Sequence, residues 1–292
     1  MESLSRGWKF LMEAWKMAAD DVDLIKPSIY TLVTGFFVTI AGAIPFALMW
    51  VLLNGKGATS GIVLFLIGVL FIFAHYVVTY VFSAMTVYLV YGYLAEGDGR
   101  MEKAWEIVKR DFWDLASLAA ASTLVKSVQR LLRGNRKRGG GDFLAGVLGA
   151  VWTEAAFLIL PAMVIEDISL KDAMQRAADI AKENLLLVGV SAVGVKAVTN
   201  GITFLLSLIG AILGGLAARG IVLVWGTDTA GMIVAIGTAL VIFFVFFLPA
   251  ITFSVYTGTA YHTCLYLWAR DAERAEDGVP VAAPAPLAAV LG

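Results

Sequence analysis

The sequence predicts an all-α, polytopic transmembrane helix bundle, with six spans arranged as three hairpins and each hairpin preceded by an amphipathic interfacial helix. Composition is the first sign. Hydrophobic residues make up 60% of the 292 positions and charged residues 15%, against roughly a quarter charged in an ordinary soluble domain, and mean hydropathy is +0.82. The second sign is where the charges are missing. Pro27 to Asn54 and Ser60 to Ala95 carry none, and each run exceeds the ~20 helical residues that cross a hydrocarbon core of ~30 Å. The third is internal repetition. Ala14-Trp15, Ala104-Trp105 and Ala173-Met174 each sit in an amphipathic segment ahead of an apolar run. Glu96-Gly97-Asp98 and Glu166-Asp167 mark matching exits, and Phe82-Ser83 with Thr86 recurs as Phe253-Ser254 with Thr257.

The elements follow in order. Over 4–26, Leu4, Trp8, Leu11, Trp15, Ala18, Val22 and Ile25 recur at helical spacing, with Arg6, Lys9, Glu13, Lys16 and Asp20 opposite. This reads as a helix lying in the membrane interface with its tryptophans at headgroup depth, not as a cleavable signal with an unbroken apolar centre. A helix packed on the cytoplasmic side of the protein is the other reading. Spans at 28–53 and 61–95 flank Asn54 to Thr59, whose Gly55 and Gly57 suit a tight turn. A second amphipathic helix over 100–111 leads into a span at 112–132. That span carries Lys126, Gln129 and Arg130 and is followed by basic Arg133 to Arg138. A span at 143–165, a third amphipathic helix at 169–183, and spans at 185–217 and 231–268 complete the set. Pro45 and Pro249 are expected to bend their helices. The Ala- and Pro-rich segment 271–292 is expected to form a mobile tail or an extended docking peptide. Repetition decides for six crossings with both ends cytoplasmic, because only then do the three amphipathic segments share one face.

Composition also excludes function classes. A net charge of −1 gives no reason to expect nucleic acid. The single Cys264 rules out an internal disulfide, and with His75 and His262 as the only histidines a His- or Cys-rich metal centre is not expected. His262 and Cys264, two apart on a helix, cannot face one metal. No Walker A loop, HExxH or GxSxG signature occurs, so neither an enzyme nor a cofactor is expected. Ser122 and Lys126 have the spacing of a Ser/Lys dyad, but helical pairs at that spacing arise readily by chance.

Charges at membrane depth are the leading site candidates. At ~1.5 Å per residue, Glu154 and Lys196 each lie about 17 Å along their spans, near the bilayer centre, with Lys126 at similar depth. A carboxylate between two ammonium groups makes Lys126, Glu154 and Lys196 a candidate intramembrane cluster, structural in the first reading and a proton or ion relay in the second. Two polar stripes follow helical spacing: His75, Thr79, Ser83 and Thr86, and Lys196, Asn200, Thr203 and Ser207. Interhelical hydrogen bonds are the simpler reading and a hydrated cavity the other. Gly210 and Gly214 make a small-residue face suited to close packing within the subunit. Tyr88, Tyr91, Tyr93, Tyr261, Tyr266 and Trp268 read as an interfacial aromatic belt. Arg133, Arg136, Lys137 and Arg138 are candidate contacts to anionic lipid headgroups.

The stretch Leu160-Pro161-Ala162-Met163-Val164-Ile165-Glu166-Asp167, followed by Ser169-Leu170-Lys171-Asp172-Ala173 and Arg176, resembles a group of uncharacterised prokaryotic six-helix membrane proteins. More distantly it is similar to the membrane domain fused to some glycerophosphodiester phosphodiesterases. Ser5-Arg6-Gly7-Trp8 and the stretch Tyr261 to Arg270 fit the same pattern. The resemblance implies a six-span protein of the prokaryotic cytoplasmic membrane and transfers no active site. The expected function is a non-enzymatic scaffold or accessory subunit of a membrane assembly. The alternative is a transporter or channel for a small solute or lipid, with a polar pathway near Glu154 and Lys196. Membrane lipids, and a membrane-protein partner or a second copy of the chain, are the expected partners.

Overall fold

The computed structural model describes residues 2–52, 58–134, 141–183, 185–274 and 282–291. Over these the chain forms α1 (Glu2–Asp20), a short 3-10 turn (Val22–Leu24), α2 (Lys26–Leu52), α3 (Ala58–Glu96), α4 (Met101–Arg110) and α5 (Phe112–Gly134). It continues through α6 (Gly141–Glu166), α7 (Leu170–Glu183), α8 (Leu185–Trp225), α9 (Thr229–Arg274) and α10 (Ala285–Leu291), and no strand occurs among the described residues. The expected turn at Asn54 to Thr59 lies largely outside the described residues.

Three pairs of long helices pack antiparallel. Gly35 and Gly42 of α2 face His75 and Phe71 of α3. Trp152 Nε1–H of α6 donates to Ser122 Oγ of α5 at 2.9 Å. Gly210 and Gly214 of α8 lie on Phe243 and Ala239 of α9. A methyl at Gly214 would stand 2.6 Å from the Ala239 carbonyl oxygen, so the missing side chain is what lets the two backbones touch. The close packing expected of Gly210 and Gly214 is therefore found within the subunit.

Among the described residues, five helical segments are long and apolar enough to cross a membrane: Val22–Leu52, Gly61–Glu96, Gly141–Glu166, Gly194–Trp225 and Thr229–Glu273. This is the layout of a multi-pass membrane protein. α5, the expected span at 112–132, is not among them. It is long enough, but Asp114, Lys126, Gln129, Arg130 and Arg133 lower its hydropathy. The last hairpin is longer than expected because Arg219 does not end α8. The turn comes at Gly226, whose φ of +84° suits glycine, and Asp228 Oδ1 accepts from Gly231 N–H at 3.0 Å. α2 and α9 continue as helix through Pro45 and Pro249.

The core sits at one end, where the ends of α3, α6 and α9 meet α1, α4 and α7. α1 is packed into this core. Phe10, Leu11, Ala14, Met17 and Ala18 are buried, whereas Trp8 stays 50% exposed. The buried face takes in Leu11 and Ala18 of the expected stripe but not Trp8, and α1 crosses α8 at Gly7, where a methyl would lie 2.5 Å from the Gly194 carbonyl oxygen. Phe10 meets Tyr261 edge-on at 5.2 Å, and Tyr256 Oη–H donates to the Ala14 carbonyl at 3.1 Å.

The segment expected as one helix over 4–26 breaks at Asp21. That residue is extended and accepts from Asp23 N–H at 2.9 Å, while its second oxygen accepts from Gly99 N–H at 2.7 Å. One carboxylate thereby ties the end of α1 to the exit of the first hairpin. Arg176 of α7 likewise bridges Glu166 of α6, at 3.4 Å, and Glu273 of α9. At the C-terminus, α10 lies against α1 and α9 with Leu287 fully buried. Of the two forms expected for 271–292, Ala285–Leu291 takes the docked one, as a short helix and not an extended peptide, with Leu287 in an apolar seat.

Candidate functional site

Glu154 projects from α6 between two cationic or protonatable partners. Its Oε1 is 3.5 Å from Lys196 Nζ on α8, and its Oε2 is 3.2 Å from His262 Nε2 on α9. The three side chains are 34%, 59% and 11% exposed, respectively. Two members of the expected cluster are therefore together, and the third is His262 rather than Lys126.

The imidazole is oriented tightly. Its Nδ1 is 2.7 Å from the Gly258 carbonyl, one turn earlier on α9. Phe157, one turn after Glu154 on α6, stacks on it with centroids 4.4 Å apart and planes 12° apart. A carbonyl oxygen only accepts, so Nδ1 carries its hydrogen. The Nε2···Oε2 contact then requires exchange of one further proton, held either by the imidazole or by the carboxyl group. The arrangement joins an imidazole and a carboxyl group through one shared proton, beside an adjoining space.

That space is a cavity of about 270 Å³ between α3, α6, α8 and α9, lined by Thr79, Ser83, Glu154, Lys196, Asn200 and His262 among largely apolar neighbours. Parts of both polar stripes thus converge on it. The remaining stripe residues do not. His75 turns to α2, where its Nε2–H donates to Thr39 Oγ1 at 3.2 Å, the Thr39 hydroxyl itself donating to Gly35 O. Thr86, Thr203 and Ser207 bond their own backbones, to Phe82, Thr199 and Thr203, the usual alternative for hydroxyls in apolar helices.

From the Gly226 turn, Lys196 is about 45 Å along α8 at ~1.5 Å per residue. The site lies toward the well-packed end of the bundle, because α8 runs on to Trp225.

Lys126 lines a different chamber, between α5 and α6, together with Gln129 and Arg133. Lys196 reaches both spaces. Arg136, Lys137 and Arg138 lie outside the described residues. Ser122 is occupied by Tyr80 Oη at 2.7 Å and by Trp152, so it forms no dyad with Lys126. Arg130 points the other way, into a crevice between α2 and α3 beside Gly42, Phe46, Gly68 and Phe71.

His262 went unread as a site residue because it sits among Tyr261, Tyr266 and Trp268, which carry the pattern of a belt. The available signal was Ser254, Gly258 and His262, a small-and-polar series at intervals of four on the last span.

A family of unknown function, DUF6159, matches residues 60–276. The chain belongs to this family. The matched region takes in all four helices that line the cavity and both ends of the Glu154–His262 contact, and leaves out α1 and α2. No curated protein matches the chain. The comparisons show no link to glycerophosphodiester phosphodiesterases.

Proposed function

We propose that this DUF6159 protein is a non-enzymatic membrane transporter for a small solute or lipid, with the Glu154–His262 pair as its proton-holding element. The observation that carries this reading is the cavity between α3, α6, α8 and α9 with a one-proton contact in its wall. Polar groups at such a position are expensive unless they pair or meet water. Here they pair, Glu154 being held by Lys196 on one oxygen and by His262 on the other. A change in protonation would alter the charge facing the cavity without moving a helix, which is the minimum a coupled carrier needs.

The reading includes six crossings with both termini cytoplasmic in a prokaryotic cell membrane. In its favour, α5 pairs antiparallel with α6, so the middle hairpin returns to the same packed end as the other two. Gln129 of α5 is buried, and Lys126 and Arg133 line a chamber against α6.

Cysteine labelling tests both parts. In a Cys264→Ala background, Asn200→Cys should react with a water-soluble maleimide in the native membrane, and complete protection would defeat the pathway. Gly140→Cys should label from outside intact cells, and labelling only after lysis would defeat six crossings. The accessory-subunit reading predicts instead that Glu154→Gln leaves proton and solute movement in proteoliposomes unchanged and alters only which membrane proteins co-purify.

A further inference from the structure

The chamber between α5 and α6 has a chemistry of its own. Its volume is about 230 Å³, and its lining includes Lys126, Arg133 and Lys196 but no carboxylate. Among the described residues, neither Lys126 nor Arg133 joins an ion pair. Lys196 is partnered only on its other side, by Glu154 at 3.5 Å. Glu154 is not a shared counter-ion, because its two oxygens are directed to Lys196 and His262. Three cations around one space repel one another, and the repulsion grows as the surroundings become less polar.

We infer that this chamber binds a phosphate-type anion, either inorganic or the headgroup of an anionic lipid. The cations arrive from two helices: Lys126 and Arg133 lie two turns apart on α5, and Lys196 approaches from α8. That distribution suits a tetrahedral oxyanion, with the arginine fork engaging two oxygens and the lysines acting as point charges. Room is made by Gly146 and Gly149 on α6. A side chain at Gly149 would displace the Gln129 amide, whereas one at Gly146 meets nothing within 4 Å. The carboxamide of Gln129, itself nearly buried, is the neutral donor at the chamber wall. Binding without translocation satisfies this inference, so it stands apart from the transport reading.

The test uses the full chain in phosphatidylcholine nanodiscs. Radiolabelled inorganic phosphate is titrated in one arm, and in the other a small fraction of phosphatidic acid is included and bound lipid is counted by native mass spectrometry. Lys126→Gln with Arg133→Gln should weaken whichever probe binds by roughly tenfold or more, about 1.4 kcal/mol per tenfold. Gly146→Leu should do the same by filling the chamber while keeping every charge, which covers the event that the double variant folds poorly. Lys171→Gln, on the exposed face of α7, should change nothing. Loss of inorganic phosphate binding assigns a soluble anion, and loss confined to phosphatidic acid assigns a lipid headgroup. Equal binding of both probes by wild type and Gly146→Leu overturns the inference, whatever a flux assay on Glu154→Gln shows.

Discussion

The two ends of the bundle are held together by different means. At the packed end, Phe10, Met85, Leu158, Tyr256 and Tyr261 are wholly buried, and amphipathic helices fill the space between the long ones. Toward the α2–α3 and α8–α9 turns, Phe36, Phe37, Leu48, Phe204, Leu213 and Val245 point outward, and close packing is found chiefly within hairpins, as at Gly42 and Gly214. The difference follows from solvent. Where water surrounds the protein, apolar side chains must be covered by other helices. Where lipid surrounds it there is no such drive, and helices associate through close backbone approach at small residues. The candidate site lies beside the packed end, where converging helices can supply several partners to one carboxylate.

The largest effect expected from this contrast is at the core. Tyr256→Ala removes a buried ring and its bond to the Ala14 carbonyl, and should destabilise by about 3–5 kcal/mol, seen as an early tryptophan-fluorescence melt in detergent. Phe36→Ala, on the outward-facing side, should lose less than about 1 kcal/mol, since its side chain is mostly exposed at the protein surface. Equal losses at the two sites would remove the distinction between the ends.

Next is Gly214→Leu. The side chain would run into the Ala239 backbone and should destabilise by about 1–3 kcal/mol, lowering the melting temperature. The adjacent Gly215→Leu, which meets nothing within 4 Å, is the matched control and should be near neutral. If both behave alike, backbone approach is not what holds α8 to α9.

Glu154→Leu should follow. It leaves His262 Nε2 without a partner in a mostly buried setting, at roughly 1–3 kcal/mol. Glu154→Gln should be milder, because an amide N–H can donate to Nε2 without a shared proton. Thermal melts of the two variants separate the loss of a hydrogen bond from the loss of charge. The smallest effect belongs to Trp8→Ala. Half exposed on the outer face of α1, it should move stability by no more than about 0.5 kcal/mol, while reducing partition of the isolated α1 peptide into vesicles if the tryptophan contacts headgroups.

Much of the fold was legible because long apolar runs and amphipathic periodicity are local properties. The start of α5 at Phe112, the end of α6 at Glu166 and the limits of α7 fall within two residues of the expected ones. The break at Asp21 was not legible, since what fixes it is Gly99, remote in sequence. Docking of the C-terminal segment was one of two readings, but its helical form and its seat on α1 and α9 were not legible.

The sequence by itself determined that this is an α-helical chain rich in membrane-length segments, and that Glu154 and Lys196 are unusual enough to name. Hydropathy and helical spacing need no partner to be read. Only the tertiary structure decided that His262 completes the site in place of Lys126, that the two polar stripes meet over only part of their length, and that Lys126 faces a second chamber with Arg133. Those outcomes depend on rotation and register between helices that are distant in the chain. Both are set by side-chain packing across the interface, as where Gly7 meets Gly194 and Phe157 covers His262, and not by the pattern within any one helix.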